Sequence, residues 1–159
     1  MDTADLIEAV REAWSGVPAP PAEDLQYVDW GWGEAAERAL VGVTPMDVDI
    51  TSAGFLGTTP LLDIPPRAAA AYLGPYLLSL LRGLSLQEQT GLFHDVITRA
   101  HVLNALSQED FWRDVIRPFL SADVQRTLVD LAHYLASRRD LLGLAQEYAD
   151  RIVTLATGS

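Results

Sequence analysis

The stretch IPPRAAAAYLGPYLLSLLRG, residues 64–83, decides the fold of this chain. Between Ala68 and Leu81 no side chain is charged, and alanine, leucine and tyrosine cover every side of a helical projection. A helix that is apolar on all sides is one that lies buried in a protein. This uncharged run is shorter than the about 20 residues that span a bilayer. The stretch therefore predicts the central helix of a soluble helical protein, with Gly83 as its end.

Pro75 lies in the middle of this predicted helix. It has no N–H to donate to the carbonyl of Ala71, and its ring disfavours the helical conformation at Gly74. We therefore expect a helix that is kinked near Gly74, or two short helices that meet there. A kink of this kind lets a long buried helix follow a small core.

Apolar periodicity and capping signals predict further helices along the chain, and no segment predicts a pair of strands. Helix starts are expected at Thr3, at the capping box SLQE of residues 85–88, and at Ser107, Ser121 and Asp140. The 85–106 helix is expected to bury Phe93, Val96, Ile97, Ala100 and Leu103. Residues 44–47 predict a short helix, and residues 50–62 predict a loop with Phe55 and Leu56 in the core.

The expected fold is therefore all-α, a bundle of roughly six to eight helices around the kinked central helix. The length of 159 residues fits one domain, residues 1–159. Within it, residues 1–63 form an acidic and less regular N-terminal part, and residues 64–159 form the helical core.

The composition restricts the available chemistry. The absence of cysteine excludes disulfides, thiol catalysis and cysteine-ligated zinc. All eleven basic residues are arginine, which excludes a P-loop and a Schiff-base enzyme because both need lysine. The acidic N-terminus MDTADLIEAV lacks the basic segment of a signal peptide. We therefore expect a cytoplasmic protein, and its composition suggests a GC-rich bacterial genome.

The negative charge is concentrated in the first part of the chain. The formal net charge is −11, and residues 1–63 hold twelve acidic side chains but only two arginines. Residues 64–159 hold ten acidic side chains and nine arginines. Such a protein is repelled by phosphate backbones, so we expect no nucleic-acid partner. The acidity indicates either solubility or a surface complementary to a basic partner.

Four segments follow one another along the chain: W-x-W (Trp30, Trp32), the FL pair at 55–56, AAYLGPYLLSLL at 70–81 and LSADVQRTLVDLAHYL at 120–135. In this order they resemble a family of small, uncharacterised bacterial proteins. Members of that family carry a tryptophan, then a Tyr-Leu-Pro-Ala type of helix and a late L-T-x-x-Q…FL segment. Here Gly74-Pro75 stands where the family has Leu-Pro. The resemblance implies a helical fold and carries no activity.

Neither histidines nor carboxylates form a convincing catalytic set. His94-Asp95 resembles the dyad of metal-dependent HD phosphohydrolases, but no histidine precedes it as the further ligand. We expect His94, His101 and His133 to be solvent-exposed, with no metal and no cofactor bound. The carboxylate pairs are neighbours in sequence, which does not show convergence across a cleft: Glu34 and Glu37, Asp47 and Asp49, Glu109 and Asp110. No catalytic residue is assigned.

The tryptophans divide into two groups. Trp14 and Trp112 lie on apolar stripes and are predicted to be core residues. Trp30 and Trp32 lie in an acidic, glycine-broken segment and are either core residues or anchors for a partner.

The first functional hypothesis is therefore a non-enzymatic interaction module that binds a basic protein. A toxin-neutralising immunity protein is one form of it, since many toxins are basic nucleases. The expected partner-binding residues are Asp29, Trp30, Trp32, Glu34, Glu37, Asp47 and Asp49. Two alternatives remain open: a metal- or carboxylate-dependent enzyme, and a helical protein with a small-ligand pocket around Tyr72, Tyr76 and Pro75.

Overall fold

The computed structural model describes residues 1–25, 38–50, 59–92 and 96–158. Within these ranges the chain is helical and has no strand, so the all-α prediction is confirmed. The helices are α1 (Thr3–Trp14), α2 (Ala22–Leu25), α3 (Pro66–Thr90), α4 (Val96–Leu106), α5 (Glu109–Phe111, a π-helical turn Trp112–Ile116, and Arg117–Phe119), α6 (Ala122–Ser137), α7 (Arg139–Leu142) and α8 (Gln146–Thr157). Two 3-10 turns, Pro45–Asp47 and Leu61–Asp63, precede α3. Across the same ranges, no helix combines the length and the apolar character needed to cross a lipid bilayer.

Helix α3 is the centre of the molecule, as the apolar run predicts. It packs against α1, α2, α4, α5 and both 3-10 turns. Its residues from Ala68 to Leu78 are all buried, and Leu77 is fully so. Helix α6 forms an outer layer, where it packs against α1 and α8. The N-terminal helix is therefore part of the same hydrophobic core as the later helices.

The predicted end of α3 at Gly83 and the predicted start at residues 85–88 are both wrong. The helix continues through Pro75 and Gly83 and ends at Thr90. The following residue, Gly91, caps it with a φ of 72° and donates its N–H to the carbonyl of Gln87 at 2.8 Å. Glycine inside a helix costs about 1 kcal/mol relative to alanine. Burial of Leu84 and Gln87 on the next turn outweighs this local preference.

Gly74 allows α1 to approach α3 closely. A Cβ at this position would lie 2.5 Å from Cγ of Trp14 and 2.6 Å from Cε of Met46. Both distances are well below van der Waals contact, so only glycine fits without movement of the tryptophan ring. The Trp14 indole N–H then donates to the carbonyl of Ala70 at 3.2 Å. Gly74 therefore allows α1 and α3 to pack closely together.

The predicted apolar face of α4 is largely wrong. Ile97 is 57% exposed and Ala100 is also exposed, whereas Thr98 and Arg99 are buried. Leu103 is buried as expected, and Phe93 lies outside the described ranges. The Arg99 guanidinium donates to the side-chain carbonyl of Gln87 at 2.6 Å. Hydrogen bonding of this kind is what makes a buried cation tolerable.

Three helix starts also differ from the sequence pattern. Gln108, and not Ser107, directly precedes the helix that begins at Glu109, and the Ser107 hydroxyl donates to the carbonyl of Asn104 at 2.8 Å. Asp2 caps α1 instead of Thr3, and its side chain and that of Asp5 bond each other's backbone N–H groups. The side chain of Thr3 is buried and hydrogen-bonds the hydroxyl of Tyr134. The last helix starts at Gln146 instead of near Asp140, because Gly143 adopts a φ of 68° and separates it from α7. The Ser121 cap of α6 is confirmed.

Candidate functional site

Asp47 and Asp49 are the predicted partner-binding residues that the structure describes. Asp47 ends a 3-10 turn, Asp49 follows it, and both side chains are exposed. The turn is held by backbone bonds from the Asp47 N–H to Thr44 at 2.8 Å and from the Val48 N–H to Pro45 at 3.1 Å. These bonds fix the backbone that presents both carboxylates. The other five predicted residues lie outside the described ranges: Asp29, Trp30, Trp32, Glu34 and Glu37.

The outer face of α1 adds four carboxylates. Their spacing of three and four residues places them on one side of the helix, and all four are exposed. The opposite side carries the buried Leu6, Val10 and Trp14. Helix α1 also packs against the turn Pro45–Asp47, so the two groups of acids occupy neighbouring elements. We call this set the N-terminal acidic surface: Asp2, Asp5, Glu8, Glu12, Asp47 and Asp49.

Arginine neutralises several acids elsewhere. Arg113 contacts both Asp110 and Asp114, and Arg138 contacts Glu88 at 2.9 Å. Ion pairs also join Arg67 to Glu23 and Asp24, and Arg126 to Asp123. Over the described ranges, none of these pairs includes the carboxylates of α1 or that of Asp47. The charges of the α1 carboxylates and of Asp47 are therefore exposed on folded elements.

A groove runs between the segment Met46–Ile50 and one face of α3, and we call it the Pro75 groove. Its volume is about 380 Å³. The α3 side is formed by Pro75, Leu78, Ser79, Arg82, Gly83 and Leu86, whose spacing matches one helical face. The facing side includes Asp47 and Asp49. Asp47 and Asp49 therefore belong both to the N-terminal acidic surface and to a groove that is lined in part by apolar side chains.

The tyrosines of the alternative ligand-pocket hypothesis do not line this groove. Tyr72 and Tyr76 are both fully buried in the core. The Tyr76 hydroxyl donates to the carbonyl of Thr59 at 2.8 Å. Burial also raises the pKa of Tyr72 above its ordinary value. Of the three residues in that hypothesis, only Pro75 reaches the groove.

A second groove, of about 510 Å³, lies between the turn Leu61–Asp63 and α5. Asp110 and Asp114 lie on its rim, and Arg113 holds both of them. The hydrogen bond from Arg113 lowers the pKa of Asp114, so that this carboxylate stays ionised. Its charge is nevertheless compensated in place, which makes this groove less attractive to a cation than the N-terminal acidic surface.

The histidines do not converge. His133 is exposed on α6, His101 is partly buried on α4, and His94 lies outside the described ranges. The expectation of exposed histidines is therefore right for His133 and wrong for His101. No group of three His, Asp or Glu side chains suited to a metal occurs among the residues described.

Arg82 is a groove residue that was not predicted. It lies seven residues after Pro75, and this spacing places both residues on one face of the helix. The groove depends on how residues 46–50 cross α3, and no local pattern encodes that crossing.

Comparisons with protein-family models, with curated proteins and with solved structures find no match to this chain.

Proposed function

We propose that this chain is a non-enzymatic binding protein whose partner is a basic protein. The observation that carries the proposal is the N-terminal acidic surface, with the α1 carboxylates and Asp47 exposed and unpaired with arginine over the described ranges. Charge of one sign on a folded surface speeds encounters with a partner of the opposite sign. It also repels the phosphate backbone of nucleic acids.

A toxin-neutralising immunity protein is one concrete form of this function, because a basic nuclease presents the complementary surface. In this proposal Asp29, Glu34 and Glu37 extend the negative charge. Trp30 and Trp32 supply the apolar anchors that slow dissociation, as tryptophan does in many binding interfaces. The role of these five residues rests on the sequence alone.

The experiment measures binding to a partner captured from the source cells and then purified. Reversal of Glu8 and Glu12 to arginine is expected to lower the association rate about tenfold at low salt, and less at physiological salt. Reversal of Asp47 and Asp49 to arginine is expected to act in the same direction. Trp32→Ala is expected to raise the dissociation rate with little effect on association.

The matched control is Glu147→Arg with Asp150→Arg, because it makes the same change in net charge on the exposed side of α8. An association rate that falls equally in this control would show that overall charge, and not the N-terminal acidic surface, drives the encounter. A captured partner that is itself acidic, or one whose kinetics none of these variants alters, would contradict the proposal.

A further inference from the structure

On the α3 side of the Pro75 groove, the middle of the wall includes two residues with little or no side chain. Between Leu78 and Leu86, the α3 wall is made by Ser79, Arg82 and Gly83. Glycine has no side chain and serine a small one, so these two residues add little bulk beside the arginine stem. The volume of about 380 Å³ lies within the range of small-molecule sites in proteins.

The groove is apolar at its base. Pro75, Leu78 and Ile50 are buried and face the space, and the partly buried Met46 and Val48 complete the facing wall. Such a base removes aliphatic groups from water, which stabilises a bound ligand in proportion to the apolar area covered. The groove therefore favours a ligand with an aliphatic body.

Charges of opposite sign stand on the two sides of this base. Asp47 and Asp49 belong to one wall, and Arg82 belongs to the α3 wall. Arg82 is exposed, and no ion pair in the described part of the chain includes it. The lining of the groove thus includes groups of both signs, which suits a ligand that itself carries both signs.

We propose that the Pro75 groove binds a small zwitterion of the amino-acid or dipeptide class. The Arg82 guanidinium receives the carboxylate, for which its planar fork of N–H donors is well suited. The ammonium group lies on the opposite side, where the Asp47 carboxylate accepts its protons. The aliphatic side chain covers Pro75 and Leu78. This site shares Asp47 and Asp49 with the N-terminal acidic surface, whereas Arg82, Pro75 and Leu78 belong to the groove alone.

The test is calorimetric titration of the full chain with L-leucine, L-methionine and L-leucyl-L-leucine at millimolar concentrations. Arg82→Gln is expected to weaken binding about tenfold or more, since it removes a charge-assisted hydrogen bond. Asp47→Asn with Asp49→Asn is expected to weaken it as well. The N-acetylated, C-amidated forms of the same probes are expected not to bind, because neither end is then charged.

Arg11→Gln is the matched control, since Arg11 is an exposed arginine on α1 that does not line the groove. Amide chemical shifts measured during the titration should change along residues 46–50 and 75–86. Absence of binding by all three probes would overturn the proposal, as would binding that Arg82→Gln or the capped probes leave unchanged. Glu8 and Glu12 do not line the groove, so their reversal tests the basic-partner proposal alone, and Arg82→Gln tests the zwitterion proposal alone.

Discussion

Two buried tyrosines one turn apart on α3 differ in their hydrogen bonding. The Tyr76 hydroxyl donates to the Thr59 carbonyl, whereas the Tyr72 hydroxyl is buried and finds no hydrogen-bond partner within the described residues. A buried polar group without a partner loses its hydration and gains nothing in return. The two rings contribute similar apolar burial, so the difference between them lies in the hydroxyls.

Tyr72→Phe is therefore expected to raise the free energy of unfolding by about 1 kcal/mol, and Tyr76→Phe to lower it by about 1 kcal/mol. Urea denaturation of the two variants beside the wild type measures both effects. A loss of stability in Tyr72→Phe equal to that in Tyr76→Phe would show that the Tyr72 hydroxyl is hydrogen-bonded after all.

The same residue predicts a dependence on pH. Burial raises the pKa of Tyr72 in the folded state, so the folded chain keeps this proton when the unfolded chain loses it. Titration of Tyr72 thus leaves the free energy of unfolding unchanged below the ordinary tyrosine pKa of about 10 and lowers it as the pH rises above that value. Tyr72→Phe should therefore lose less stability than the wild type between neutral and strongly alkaline pH.

At the scale of elements, the contact between α1 and α3 depends on a missing side chain. Gly74→Ala places a Cβ against the Trp14 ring and is expected to destabilise the protein by about 1–3 kcal/mol, the usual cost of overpacking. Gly16→Ala is the matched control, because nothing lies within 4 Å of a Cβ at that position. Denaturation should show the loss only for Gly74→Ala; equal effects would mean that the ring moves aside freely.

The contact between α3 and α4 shows how buried polar side chains decide which face of a helix is buried. Gln87 accepts from Arg99 and donates to the carbonyl of Leu141 at 3.1 Å, so one buried amide links three helices. This link orients Arg99 inward and leaves Ile97 facing solvent. The pattern of apolar residues along α4 cannot predict that orientation, because Gln87, the partner of Arg99, lies twelve residues earlier on another helix.

At the scale of the whole molecule, the net charge of −11 acts against folding. Like charges are brought closer in the compact state, and their repulsion destabilises it. Adding sodium chloride up to about 0.15 M shortens the screening length to about 8 Å. The melting temperature is therefore expected to rise by a few degrees, as scanning calorimetry would record.

The Glu8→Arg, Glu12→Arg variant provides the comparison for this effect. It reduces the negative charge on α1, so its melting temperature should depend less on salt than that of the wild type. A wild-type melting temperature that stays constant or falls as salt is added would show that self-repulsion is not a significant term in this protein.

The sequence by itself determined the central helix and the helical class, because the run from Ala68 to Leu81 must be buried wherever the remaining chain lies. It also determined the charge asymmetry and the core positions of Trp14 and Trp112, which are both buried. These properties depend on local composition and period. They needed no knowledge of which segments meet.

The tertiary structure alone decided where α3 ends, which side of α4 is buried, and where the Pro75 groove lies. Gly83 is a helix end by local preference, yet packing around Leu84 and Gln87 carries α3 on to Thr90. The groove joins Asp47 and Asp49 to Arg82, which lies more than thirty residues later in the chain. Such juxtapositions arise from contacts between distant segments, and these have no signature in either segment alone.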